Sequence, residues 1–434
     1  MKYNRFVIIL VTFLLANMSV WSQQRILYSR GTVHVGNGDK YAQGLVGIEG
    51  DEIILVENAL AHTIDPEKWD TIIDCKGNHL YPSFIAPNST LGLTEIDAVR
   101  ATRDFDEVGK WNPHVRSLIA FNATSDVSAT VKTNGVLYAQ ATPKGGVISG
   151  TSSIMKLEGW NWEDAVLKTD DGIHLNWPST LKGGGWWAEP KPKEKNEKYG
   201  EKVTEIEDFF AAALAYSEGT EAYDARFQAM KALFQGEKRL YIHANELKAL
   251  TDVLEFIKSF EIEFPVIIGG YDAYKIADLL KDAEVPVILK GGHTLPENSD
   301  DPIDLPYRLP ALLQENGVQF CIQNSGRMET MNTRNLPFLA GSAMAYGLQE
   351  EEAISAVSLN TAKILGVDHL VGSIEEGKKA SFFVSEGDAL DMRTNNVIDA
   401  RIQGKPIDLT NHQEELYLKY KKKYEKQGKG NTAD

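Results

Sequence analysis

"RLYIHAN" (239–245) is an apolar run that breaks off at a histidine, and the amphipathic "ELKALTDVLEFIKSF" (246–260) follows it directly. The same pairing recurs three times: "FPVIIGG" (264–270) with "YDAYKIADLLKDA" (271–283), "VPVILKGG" (285–292) with "PYRLPALLQENG" (306–317), and "VQFCIQNS" (318–325) with "NLPFLAGSAMAYGL" (335–348). Short apolar runs bounded by turn residues are strands buried on both faces, and each one here feeds a helix. Repeated strand-to-helix units make a parallel sheet. Upstream, "IAPNST" (85–90) and "NGVLYAQATPKGG" (134–146) supply two further strand ends. The expected fold is α/β, a (β/α)8 barrel of ~250 residues. A doubly wound open sheet is the competitor, and no strand here carries the GxGxxG turn into a helix that such sheets use.

The chain ends follow another rhythm. From 25 to about 80, short alternating segments are broken by "NGD" and "EGDE", which are hairpin turn signals. The matching strands lie near the other end, in "ASFFVSEG" (380–387) and "NVIDARIQGKPIDL" (396–409). Both ends together predict a small composite β-sandwich. The expected organisation is a leader over 1–22, sandwich over 23–80 and 371–410, barrel over 81–370, and a charged helical tail over 411–434. The stretch 183–202, rich in Gly, Pro and Lys, interrupts the barrel rhythm and predicts a surface excursion or lid.

Lys2 and Arg5 precede the apolar run "FVIILVTFLLA", and Val20 and Ser22 stand at −3 and −1 before Gln23. That is the pattern of a cleaved secretory signal, so a periplasmic or secreted location is expected. The run is shorter than the ~20 residues of a spanning helix, and no stable membrane span is expected. Loss of the leader with its two cations takes the formal charge from −16 to −18. Such a surface disfavours nucleic acid as a partner, because phosphate binding wants a basic face. Cys75 and Cys321 both sit in apolar strand-like runs and read as small buried hydrophobes.

A barrel places its site at the carboxyl ends of its strands, which points to Asn88, Thr142, His243, Gly269, Lys290 and Asn324. His243 is the catalytic candidate, with Asn245 and Glu246 in the loop behind it. His293 lies in the long acidic loop after the seventh strand, where it can contact substrate. The stretch "TPKGGVISGTSS" (142–153) offers amides, hydroxyls and Lys144 as a cradle for an anion. Arg327 and Arg334 flank "METMNT" and can bind a carboxylate bidentately. The substrate-binding set is therefore Asn88, Thr142, Asn245, Glu246, His293 and Arg327. His114 and His174, which lie in tryptophan-rich stretches, are not assigned to catalysis. No GxSxG elbow or P-loop occurs, so serine-hydrolase and nucleotide readings lack a motif.

In its entirety the pattern resembles the amidohydrolase superfamily, and within it the imidazolonepropionase-like proteins. The resemblance is carried by "GTVHVGNGDKYAQGLVGIEGDEIILV" (31–56), "LYPSFIA" (80–86) and "LNTAKILGVDHLVGSIEEGKKASFFVSEGDALDMR" (359–393). Thr361 stands where proline is usual, and Ser381 where aspartate is usual. The resemblance implies a barrel flanked by a sandwich, homo-oligomerisation, and a divalent metal such as Zn held by histidines and carboxylates. Such an ion lowers the pKa of bound water to about 7 and polarises the scissile carbonyl.

The residues depart from that metal site. Pro87, Asn88 and Ser89 stand where His-x-His is expected, Gly269 and Gly270 where the sixth strand brings a histidine, and Ser325 and Gly326 where Ser-Asp follows the eighth. Only His243 matches. No metal or other cofactor is therefore expected. Two functions remain: a hydrolase of carbon–nitrogen bonds other than peptide bonds, with its site reorganised around His243, or an inactive pseudo-amidohydrolase. The second would bind a small molecule or support an intact paralogue as its partner.

Overall fold

The computed structural model describes residues 24–61, 64–183, 185–186, 189–190, 193–219, 222–326 and 329–430. The leader and Arg327 lie outside the described residues.

Eight strands form the barrel sheet: Phe84–Ser89, Val136–Ala141, Ile148–Lys156, Val166–Asn176, Arg239–Ala244, Pro265–Gly269, Val287–Lys290 and Phe320–Gln323. They are numbered first to eighth below. The four strands that opened the sequence reading are the fifth to eighth, paired in parallel and in order. Helices Leu247–Ser259, Ala277–Asp282, Leu305–Glu315 and Leu336–Ala345 follow them in turn. In the fifth strand Leu240, Tyr241 and Ile242 are all fully buried, so it has no solvent face, as a parallel strand between two layers requires. The first and eighth strands meet through the Asn88 and Gln323 side chains, 2.6 Å apart. The fold is a TIM-like barrel with a separate sandwich.

One strand departs from a fully parallel barrel. The third runs antiparallel to both the second and the fourth. The turn that reverses the chain is "TPKGG", in which Gly145 and Gly146 take φ of +86° and +62°. Glycine occupies that left-handed region without a Cβ clash. An added Cβ at Gly146 would also meet the Gly109 and Lys110 carbonyl oxygens at 3.0 Å. The expected loop from 142 to 153 is thus half turn and half buried strand. Its hydroxyls are already engaged: Thr151 donates to Pro113 O at 2.8 Å, Ser152 to Asp171 at 2.7 Å, and Ser153 accepts from Asp170 N at 2.9 Å. Segment 94–116 runs alongside this turn and strand, bridging at Asp106 to Lys144, Trp111 to Ile148 and Arg116 to Thr151.

The second sheet joins both chain ends. Its order is Lys405–Pro406, Val397–Ile402, Phe382–Ser385, His79–Pro82, Arg25–His34, Lys40–Glu49 and Glu52–Asn58, with Thr71–Asp74 on Arg25–His34. It has its own core, built around Tyr28, Val33, Val46, Ile53, Leu80 and Phe382. The expected 183–202 excursion falls on two short ribbons, Leu181–Lys182 with Glu194–Lys195 and Gly185–Trp186 with Glu189–Pro190, and then the start of helix Tyr199–Glu218. Both cysteines are free and buried, and His412–Gly430 is helical. No helix among the described residues is long and apolar enough to cross a membrane.

Tyr81, on a sandwich strand, lies beside Phe84 of the first barrel strand, ring centroids 6.2 Å apart. Its ring stacks on His34 at 4.3 Å and on Phe383 at 5.4 Å, and its hydroxyl accepts from Ala389 N at 3.3 Å. Ser381 shares a hydrogen bond with the buried Tyr138 hydroxyl at 2.7 Å. It thereby ties the second barrel strand to the sandwich. Truncating a fully buried aromatic removes its transfer free energy and leaves a cavity. Tyr81→Ala is expected to lower unfolding free energy by roughly 3–5 kcal/mol, read as a shifted midpoint in urea denaturation; a change below 1 kcal/mol would show that the ring is not packed as described.

Candidate functional site

The carboxyl ends of the barrel strands open on a cleft of about 640 Å3. Asn88, His243, Gly269, Lys290 and Gln323 line it from the first, fifth, sixth, seventh and eighth strands, and Lys144 from the turn after the second. Arg103 and Phe105 close it from the 94–116 segment.

Asn88 is placed by a defect in its strand. Ala86 pairs with Ala139 and Ser89 with Ala141, so Pro87 and Asn88 bulge out of register. Asn88 has φ of +50°, a region that asparagine tolerates better than most residues. A bulge re-aims a side chain at a strand end. Here it directs the amide of Asn88 two ways: Nδ2 donates to Gln323 Oε1 at 2.6 Å, and Oδ1 accepts from Lys144 Nζ at 2.6 Å. The backbone N–H of Asn88 donates to Gln140 Oε1 at 2.9 Å. Gln140 in turn donates to the buried carboxyl of Asp171 at 2.9 Å, which also accepts from Ser152 and from the Tyr241 hydroxyl at 2.6 Å. Burial pushes the Asp171 carboxyl up, and these three donors oppose that shift.

Lys144 is the free end of this network. Its Nζ is 2.6 Å from Asn88 Oδ1, 3.4 Å from Asn88 O and 3.3 Å from Ser325 Oγ. All three partners are neutral oxygens, and no carboxylate pairs with it among the described residues. Burial pulls its ammonium down from 10.5 to about 7. The amine therefore exists in both protonation states near neutrality.

Two imidazoles meet beside it. His243 Nε2 and His174 Nδ1 are 3.1 Å apart and share one proton. His174 is fully buried against Tyr241, ring centroids 4.7 Å apart, and its Nε2 has no hydrogen-bond partner. Burial and then the Lys144 charge pull His243 down to about 3, and burial with both neighbours holds His174 well below its ordinary value. Both rings are neutral at physiological pH.

This donor set does not fit a catalytic zinc, which ordinarily takes three protein ligands. Asn88 is an amide engaged at both ends, Ser325 is a hydroxyl, and Gly269 is held at φ of +105° with Asn245 Oδ1 where its Cβ would go. Lys144 adds a positive charge at the centre. Among the described residues one group of three metal-capable side chains occurs, His34, Glu350 and Glu351, away from the cleft. There Glu351 accepts from His34 at 2.8 Å, and Lys40 lies 2.7 Å from Glu350.

The candidates from sequence divide accordingly. Asn88, His243 and Asn245 come together on the cleft wall. Thr142 does not: it is fully buried, with its N–H on Ser89 O at 2.8 Å and its hydroxyl directed at Gln140 O. Glu246 faces away, holding Thr180 N at 2.6 Å and the Ser179 and Thr180 hydroxyls. His293 lines an adjoining recess and donates to Ser342 at 2.7 Å. Sequence reasoning passed over His174 and Arg103. The alternation of "GIHLN" is the signal that could have placed His174 on an inward strand face.

A profile of the amidohydrolase family matches residues 308–409. An imidazolonepropionase of Erwinia tasmaniensis is 28% identical over 189 residues, and the match spans 42% of each chain, under half the length of that relative. An amidohydrolase from Thermotoga maritima superposes with a TM-score of 0.75 at 23% identity, over 88% of this chain and 99% of its own. A Xaa-Pro dipeptidase with methionine bound in its active site superposes at 0.54 and 13% identity, over 89% and 100%. The barrel and two-ended sandwich agree with these likenesses, and the family match overlaps the motif block at 359–393.

Proposed function

We propose that this amidohydrolase-family protein binds a small organic molecule at its barrel mouth without a metal ion and without hydrolysing it. The observation that supports this most is where the positive charge stands. Lys144 Nζ sits between Asn88 and Ser325, at the strand ends where the family resemblance expects the first- and eighth-strand metal ligands. A dication needs anionic or imidazole donors, whereas one ammonium is satisfied by an amide and a hydroxyl. The residues that replaced the metal ligands suit the lysine.

Hydrolysis of a non-peptide carbon–nitrogen bond is the second reading, with His243 as the base. Its pKa of about 3 argues against it, because a general base works best with a pKa near the operating pH. The proposal retains export by the 1–22 leader. It also retains association with a second copy or an intact paralogue, in keeping with a well-formed scaffold around an altered site.

Protein purified without chelator from zinc-supplemented cells is expected to carry far less than one metal ion per chain by elemental mass spectrometry, and to leave cyclic amides unhydrolysed. One zinc per chain that disappears in His243→Ala would overturn the proposal. In Lys144→Met the His243 pKa is expected to rise from about 3 while staying below 6.5, because the lysine charge is removed and the burial is not. Imidazole NMR titration reads this directly; an unmoved His243 would mean that the lysine does not set the field of the cleft.

A further inference from the structure

Two cations of the cleft lack an anionic partner among the described residues, and together they specify a ligand. Lys290, the third, already pairs with Glu297 at 3.3 Å. Arg103 does not: it is half-buried, its Nε is enclosed without a hydrogen-bond partner, and its guanidinium lies 5.8 Å from the Phe105 ring centroid. An enclosed donor left unmet is costly, so this position is short of an acceptor. The planar fork of a guanidinium matches a carboxylate. The arginine segment is also fixed to the lysine turn, since Phe105 O accepts the Lys144 backbone N–H at 2.6 Å. Both side chains face the same cleft.

Resting on the small-molecule reading above, we propose that the cleft takes an aldehyde or ketone that also bears a carboxylate. Arg103 holds the carboxylate while Lys144 Nζ condenses with the carbonyl as an imine. The amine lone pair attacks the carbonyl carbon and the C–O π electrons move to oxygen, which takes up a proton. The carbinolamine then loses that oxygen as water, which carries away the two hydrogens the neutral amine held, and a C=N bond remains. No oxidant or reductant is needed. The step requires an uncharged amine in a partly enclosed site, the condition that activates lysine as a nucleophile. Lys144 meets it, with neutral oxygens around Nζ and a pKa of about 7 in support. The charged and titratable groups facing it are Asp97, Arg103, His174, His243 and Lys290. Ser325 Oγ, 3.3 Å from Nζ, is placed to carry protons between nitrogen and the departing oxygen.

The test is reductive trapping of the full protein with cyanoborohydride and pyruvate, 2-oxoglutarate or, as a carboxylate-free probe, propanal. Intact mass and peptide mapping are expected to show one adduct per chain at Lys144, none in Lys144→Met, and a rate that rises through pH 7. Arg103→Gln is expected to slow trapping of the two oxo acids on the order of tenfold, the worth of a charged hydrogen bond, and to leave propanal unaffected. Both variants are first checked for an unchanged thermal transition. Adducts spread evenly over surface lysines, or an Arg103→Gln effect equal for all probes, would overturn the proposal. If the oxo acids raise the melting temperature of wild type and Lys144→Met alike and no adduct forms, the imine falls while the small-molecule reading stands.

Discussion

The barrel mouth depends on one amide. Asn88 touches the eighth strand, the second strand and the Lys144 amine together, through Gln323, Gln140 and its own Oδ1. Each bond orients the next. Gln323 donates to Ile288 O at 3.1 Å, so its Oε1 is turned toward Asn88. Gln140 donates to Asp171, so its Oε1 is left for the Asn88 N–H. A buried polar network is stabilising only when its members are satisfied, and here the direction of every amide follows from its neighbours. The bulge at Pro87 and the left-handed φ of Asn88 are the local cost of bringing that amide into the barrel.

The same logic extends outward to the sandwich. Tyr81 and Ser381 both reach from the sandwich to the barrel, one by its ring beside Phe84 and one by a hydrogen bond to Tyr138. The second barrel strand that holds Tyr138 also holds Gln140, two residues along on the same strand face. The inter-body contact and the site network are thus borne on one short strand. The sandwich positions the barrel strand whose following turn presents Lys144.

How much of this the sequence disclosed follows its periodicity. The fifth to eighth strands are apolar without interruption and each is followed by an amphipathic helix, so their pattern survives without tertiary information. The third and fourth strands do not announce themselves. "ISGTSSIMK" is rich in hydroxyls because those hydroxyls serve Asp171 and the neighbouring backbone, and such composition looks like a loop. "VLKTDDGIHLN" carries Lys168, Asp170 and Asp171, and only the fold reveals that Asp171 is buried with three donors. His174 was hidden with them. His243, Asn88 and Asn245 were legible because a barrel's strand ends are where its site must be, while Thr142 failed since the chain turns at once after the second strand. Arg103 left no local signal: its meaning lies in an acceptor it lacks, which no spacing records.

The groups at the strand ends of the barrel mouth are matched to one another. Here the amide at 88, the hydroxyl at 325 and the bare backbone at 269 each have a use: the first two accept from Lys144, and the third admits Asn245. A single ammonium with a pKa of about 7 also differs in kind from a bound dication. It can give up its charge at neutral pH and become a nucleophile, whereas a metal ion acts through a bound water. The charge at the centre of this barrel mouth is one that a proton can remove.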